Sequence, residues 1–281
     1  MTEAELTILK GKAIQQKDVR SLLELADYSC QEKDYKNAFN YTFQASLANS
    51  KDAYRKLGYF YEKGIGVEID YKQAKIYYEK AAQINDNRAK YNLGLLYLNG
   101  LGVEKDENKA FNLIFESAEN FEPSAIKALS VMYLNGIGTI KDENKYHECL
   151  IKLEDLGETD IYYALGYDCY VGRGTEMDFK ESLNYFLLGS SEGDDRCDYM
   201  IGTFYANGIV VEKDHNKAVF YFNRSALKEN VKSMYNLAVY YELGVYVPKD
   251  LEKAMYWYEK AAEKGFNKAK ERLENLKNNC N

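Results

Sequence analysis

The sequence predicts an all-α protein, an α-solenoid in which antiparallel helix pairs stack into a right-handed superhelix. Three columns of residues carry this expectation. Positions 58, 94, 130, 166, 202 and 238 read Gly, Gly, Ser, Gly, Gly and Ala, with a constant step of 36 residues. Positions 64, 100, 136, 172, 208 and 244 are glycine throughout, and positions 70, 106, 142, 178, 214 and 250 are aspartate throughout. A fixed period of about 20 to 50 residues marks one supersecondary unit stacked on copies of itself.

Within the first full copy, Leu57, Phe60 and Tyr61 fall at i, i+3 and i+4, the spacing of an amphipathic helix. This first helix of the pair, A, ends at Gly64, because glycine enters the left-handed conformation at a helix C-terminus without a side-chain clash. Gly66 eases the turn. Asp70 then caps helix B, with Gln73 placed to complete a capping box. Helix B runs through Ala74, Tyr77, Tyr78 and Ala81, whose small residues let the two helices approach. Gly58 lies inside helix A, where glycine costs about 1 kcal/mol relative to alanine. Its replacement only by Ser130 and Ala238 predicts a close crossing of B against A.

The unit recurs as Leu93-Gly94-x-x-Tyr97-x-x-Gly100-x-Gly102-Val103-x-x-Asp106-x-x-Lys109-Ala110 and again through Tyr256-Trp257-Tyr258-Glu259-Lys260-Ala261-Ala262-Glu263-Lys264-Gly265. This pattern resembles the Sel1-like repeat, an α-helical relative of the tetratricopeptide repeat. The resemblance implies adaptor and scaffold roles. Upstream, Leu25-Ala26 and Asp34 to Ala45 read as the same unit with a loop four residues shorter, the tetratricopeptide length. The expected organisation is a capping helix over 1–18, a tetratricopeptide-like pair over 19–50, six repeats over 51–266, and a capping helix and tail over 267–281, counted as one continuous solenoid.

Composition narrows the function classes. Two prolines among 281 residues, 46% hydrophobic and 29% charged residues, suit a helical globular chain. The 27 tyrosines recur at repeat positions and read mostly as packing residues with hydroxyls at the helix rims. A net charge of −7 with interspersed signs argues against nucleic acid as a partner. Lys264, Lys268, Lys270, Arg272 and Lys277, broken by Glu271 and Glu274, read as a solvated helix face. The acidic N-terminal segment lacks the basic flank of an export signal, and no apolar run is long enough to span a membrane, so a cytoplasmic protein is expected. Cys30, Cys149, Cys169, Cys197 and Cys280 form no CxxC pair and read as five reduced thiols.

No catalytic residue, cofactor or metal is expected. His147 and His215 stand in different phases of the repeat, with His215 read as a first-turn surface residue. Gly64-Ile65-Gly66 lies between two helices and not after a strand, so it is no nucleotide fingerprint. Glu192, Asp194 and Asp195 belong to a solvated turn. Cysteine-rich secreted relatives described as penicillin-binding or hydrolytic carry cysteines eight apart across successive repeats; the equivalent positions here are Ala82 and Lys90, so the hydrolase reading fails at its defining residues.

Three departures are visible. Val210 and Tyr246 replace the second loop glycine in copies five and six, predicting stiffer or differently turned loops. Ser182 stands at the Ala74 position in copy four. Tyr146 stands there in copy three, which either changes the superhelical curvature locally near residues 140 to 190 or turns the ring to solvent.

The candidate binding face lies on the A helices, three before, one after and four after the Gly58 position. Its residues are Tyr91, Leu95, Leu98, Lys127, Val131, Leu134, Tyr163, Tyr167, Tyr170, Tyr199 and Tyr235, an apolar and aromatic ladder with charged ends. Arg55, at one end, either meets a ligand acid or pairs with neighbours. Each tyrosine of the ladder either binds or only stacks between neighbouring helices. Such a concave groove fits a peptide or helix of another protein. The alternative is an inhibitor, regulator or immunity-type partner that occludes another protein. Pairing of two copies stays open.

Overall fold

The computed structural model describes residues 3–16 and 18–279, and among them sixteen α-helices and no strand. The all-α, stacked-hairpin class is therefore as expected. Contacts divide the chain into two compact units, Met1–Cys149 and Leu150–Asn281. Solenoid repeats touch only their neighbours, so no closed core overrides such a division.

Unit 1 begins with α1 (Glu3–Gln16) and continues as the pairs α2 and α3 (Val19–Gln31, Tyr35–Ser46), α4 and α5 (Lys51–Lys63, Tyr71–Gln83), and α6 and α7 (Asn87–Asn99, Glu107–Ala118), then α8 (Pro123–Asn135). The division falls within α9 (Glu143–Asp155). Unit 2 holds the pairs α10 and α11 (Tyr162–Val171, Phe179–Ser191), α12 and α13 (Asp195–Asn207, His215–Leu227), and α14 and α15 (Val231–Leu243, Leu251–Glu263), then α16 (Asn267–Asn279).

The expected punctuation is in place. Gly64, Gly100, Gly136, Gly172, Gly208 and Gly244 end six A helices at positive φ. Asp70, Asp106, Asp178, Asp214 and Asp250 accept at their carboxylates from first-turn amides of the B helices. The capping box does not form as expected. The Asp70 N–H donates to the Tyr61 carbonyl at 2.9 Å, so Gln73 has no amide to receive. The same bond recurs from Asp106 to Tyr97 at 3.0 Å and from Asp250 to Tyr241 at 3.0 Å, tying each loop back to its own A helix.

The crossing at the internal glycine is close, as its small residues imply. A Cβ on Gly58 would lie 2.5 Å from Tyr78 Cδ1, on Gly166 2.7 Å from Phe186 Cε1, and on Gly202 2.7 Å from Phe222 Cδ1. In these copies an aromatic ring of helix B thus packs against a bare stretch of helix A, which offsets the helical cost of glycine by burial. In copy four, Ser182 is fully buried, and its Oγ donates to the Gly166 carbonyl at 2.7 Å. Tyr146 is only 6% exposed, so its ring is not turned to solvent.

The second loop glycine meets a different neighbour. A Cβ on Gly102 would lie 2.5 Å from the Tyr71 carbonyl carbon, and one on Gly138 would run into the Glu107 carbonyl. Each therefore rests on the first residue of the preceding pair's B helix. Val210 and Tyr246 keep positive φ of 50° and 65°, so these loops are not differently turned; they hold the glycine conformation with a side chain present. In copy six the approach is made by a ring. Tyr246 stacks on His215, the first residue of α13, with centroids 3.9 Å apart.

Candidate functional site

The candidate residues fall on two faces, one in each unit. In unit 1, Tyr91, Leu95 and Leu98 on α6 and Lys127 and Leu134 on α8 are half-buried, whereas Val131 is exposed. Burial, then Glu122, pushes the Tyr91 hydroxyl above its ordinary range. Arg55 on α4 donates to Asp52 at 2.6 Å and Asp86 at 3.1 Å, so of its two readings the pairing with neighbours holds.

In unit 2 the tyrosines form a supported ladder. Tyr163, Tyr167 and Tyr170 follow one another along α10 with ring centroids 6.1 and 6.4 Å apart. At the equivalent position of successive repeats, Tyr163 packs on Phe186 (6.0 Å), Tyr199 on Phe222 (6.1 Å) and Tyr235 on Tyr258 (5.6 Å). Phe186 and Phe222 are the rings that lie on Gly166 and Gly202, and Tyr258 stands at the same repeat position. One helix-B residue thus fills the crossing and props the face tyrosine. All five candidate tyrosines of this unit remain half-buried, with one side in the core and one toward solvent.

Sequence reasoning missed a basic column beside them. Arg196, Lys232 and Lys268 follow one another at the 36-residue step, at the starts of α12, α14 and α16. The Arg196 guanidinium lies 4.5 Å from the Tyr163 ring centroid and Lys232 Nζ 5.6 Å from that of Tyr199. These two cations cover the tyrosine of the preceding repeat. The signal was present as a basic residue recurring at the 36-residue step, but Lys268 was absorbed into the C-terminal charge cluster. Two shallow grooves run along this face; both are lined by Tyr199 and Asn236.

Other polar groups are committed to the fold. Asp168, at a position apolar in copies one to three and aromatic in copies five and six, is fully buried against Arg173, whose Nε donates at 2.7 Å. Asp198 is fully buried and accepts from Arg224 Nε at 2.7 Å; Arg224 also reaches the Ser190 hydroxyl. Neither aspartate was flagged by its spacing, because no other copy carries an acid at either position. Cys30, Cys149, Cys169 and Cys197 are free thiols, and Cys280 lies outside the described residues. Burial raises the Cys169 thiol to about 11, and burial followed by Asp194 raises Cys197 further. Among the described residues no cluster of His, Cys, Asp and Glu is arranged to hold a metal, and no helix is long and apolar enough to cross a membrane. Asp194 caps α12 and pairs with Arg196, and Asp195 accepts from Asn230, which accounts for two acids of the 192–195 turn.

Comparison with known families agrees with this repeat geometry. The Sel1 repeat matches at residues 51–86, 87–120, 123–156, 161–194, 196–230 and 231–266. The chain belongs to the Sel1 repeat family. Among solved structures, c5321, a protective antigen present in uropathogenic Escherichia coli strains with an SLR fold, is 29% identical with a TM-score of 0.89 over 96% of this chain. This chain spans 59% of that protein's length. A Sel1 repeat protein from Oxalobacter formigenes is 28% identical with a TM-score of 0.70, over 86% of this chain and 99% of its own. No curated protein matches the sequence. The Sel1 match explains why the A–B crossings and loops repeat so closely, since each copy must present the same surfaces to its neighbours.

Proposed function

We propose that the protein is a noncatalytic interaction scaffold or adaptor that holds a peptide or helix of a partner protein on the concave, A-helix face of its repeats. The carrying observation is the propped ladder of Tyr163, Tyr199 and Tyr235, each fixed from behind by a helix-B ring. A tyrosine held on one side loses little further rotamer freedom when its other side is covered, so contact area converts to affinity efficiently. Sel1 repeats are associated with protein–protein contacts, which agrees with this reading. Thiols in place of disulfides among the described cysteines, buried at Cys169 and Cys197, support placement in a reducing compartment, the cytoplasm.

The test is cross-linked capture from source cells with wild type, Tyr167→Ala and Tyr199→Ala, each matched for helicity and melting temperature. A protein held by wild type and lost from both variants is the expected result. Identical capture by all three chains overturns the assignment of this face.

A further inference from the structure

The face of α12, α14 and α16 carries two features that neither packing nor capping uses. The first is the Asn236 side chain. Among the described residues its amide has no hydrogen-bond partner, although it borders both grooves. Asn92 occupies the same repeat position and lies beside the Tyr78 hydroxyl. The residue equivalent to Tyr78 beside Asn236 is Phe222, which has no hydroxyl. The amide of Asn236 therefore keeps a donor and an acceptor for something outside the fold.

The second feature is uncompensated charge. Lys232 and Lys268 border one groove together with Tyr199, Tyr235 and Phe266, and no acid lines it. Among the described residues neither lysine makes an ion pair. Three acids of these repeats are engaged elsewhere, Glu229 with Lys264 at 2.9 Å, Glu242 with the Tyr258 hydroxyl at 2.6 Å, and Asp198 with Arg224, and Glu271, one turn along α16 from Lys268, makes no ion pair with it. Two ammonium groups without an ion pair thus border an aromatic floor, that of Lys232 lying 5.6 Å from the Tyr199 ring centroid, in a chain whose net charge is −7.

We infer that this face takes an extended, acidic segment of a partner protein, its main chain bonded by Asn236 and a carboxylate side chain seated between Lys232 and Lys268. The inference rests on the interaction reading above and names the partner's chemistry. An amide side chain matches a peptide group donor for acceptor, and only an extended chain has main-chain groups to offer, since a helix uses its own internally. The ammonium groups select acids over bases and speed encounter. The rings of Tyr199, Tyr235 and Phe266 supply the apolar contact beneath.

A random peptide library displayed on phage and panned on the full chain tests this. Enrichment of Asp and Glu is expected, with synthetic copies of the selected peptides binding more weakly as salt rises. The double variant Lys232→Glu/Lys268→Glu, both sites being exposed, should bind those peptides at least about tenfold more weakly and should itself select basic sequences. Asn236→Leu should weaken the same peptides while leaving the preference for acids. Neutral or basic peptides from wild type, or acidic ones indifferent to the charge reversal, overturn the inference and leave the scaffold reading standing. No enrichment from wild type overturns both.

Discussion

The Tyr78 hydroxyl on α5 donates to Glu62 Oε2 on α4 at 2.8 Å, and five repeats later Tyr258 donates to Glu242 at 2.6 Å. Both rings are fully buried. Burial and the neighbouring carboxylate push each hydroxyl far above its ordinary range, so both stay protonated donors. Copies two to five carry Leu98 with Ile114, Leu134 with Leu150, Tyr170 with Phe186 and Ala206 with Phe222, so a glutamate appears at one position only when a tyrosine occupies the other. The charged ends of the ladder are partners of the core.

Glu62→Leu should therefore destabilise the protein by about 1–3 kcal/mol, the cost of a buried hydroxyl left without its acceptor. The double variant Glu62→Leu/Tyr78→Phe, which copies the apolar pairs, should cost less than the sum of the single changes. Denaturant unfolding of the four chains measures the coupling. Strictly additive costs would show that the pair is not a unit.

Gly94→Leu should lower stability by about 3 kcal/mol or more, beyond the gain in helix propensity. Even a Cβ there would meet Ile114 Cγ1 at 2.7 Å and the Ala110 carbonyl at 3.2 Å, and the backbone cannot rotate away. Thermal melting decides this, and an unchanged midpoint would refute the close crossing.

The two loops that lack the second glycine should respond oppositely to its restoration. Val210→Gly relieves a β-branched residue at φ 50° that is 53% exposed, and should stabilise by about 1 kcal/mol. Tyr246→Gly relieves similar strain but removes the stack on His215, and should be neutral or destabilising. Melting midpoints of the two variants provide the comparison, and a loss of stability in Val210→Gly would contradict the strain argument.

His215 gives a pH dependence with a defined sign. Burial, then Lys213, holds its imidazole below the ordinary 6.5, and Nδ1 lies 2.6 Å from the Tyr240 hydroxyl, with the ring's tautomer deciding which of the two donates. Since the unfolded chain takes up the proton first, the stabilising contribution is complete above about pH 6.5 and declines as pH falls below it. Wild type should lose more stability between pH 7.5 and 5.5 than His215→Phe, which keeps an aromatic ring against Tyr246 but cannot titrate. Parallel pH profiles of the two midpoints would remove His215 from the account.

The repeat columns made most of the fold legible. Gly64 and its equivalents place the helix ends, the aspartates place the starts of the B helices, and the small residues at the Gly58 position announce the crossings. Each of these effects is local or recurs at a fixed step, so a linear reading captures it. Gln73 shows the limit. Its spacing fits a capping box, but the loop folds back and gives the Asp70 N–H to Tyr61, a bond between residues that sequence pattern does not pair.

The chain by itself determined the helix pairs, their period and the composition of the exposed ladder, because capping, turn conformation and amphipathic spacing act within a few residues. Only the tertiary structure decided which side chains remain available. Glu62 and Arg55 look exposed and ionic in sequence, yet Tyr78 and Asp86 occupy them. Asn236 and Lys232 look unremarkable, yet among the described residues the packing gives the Asn236 amide no hydrogen bond and Lys232 no ion pair. Availability is a property of what the neighbouring repeats contribute, and a hydrogen bond is made or lost by distances of an ångström that residue identity alone does not set.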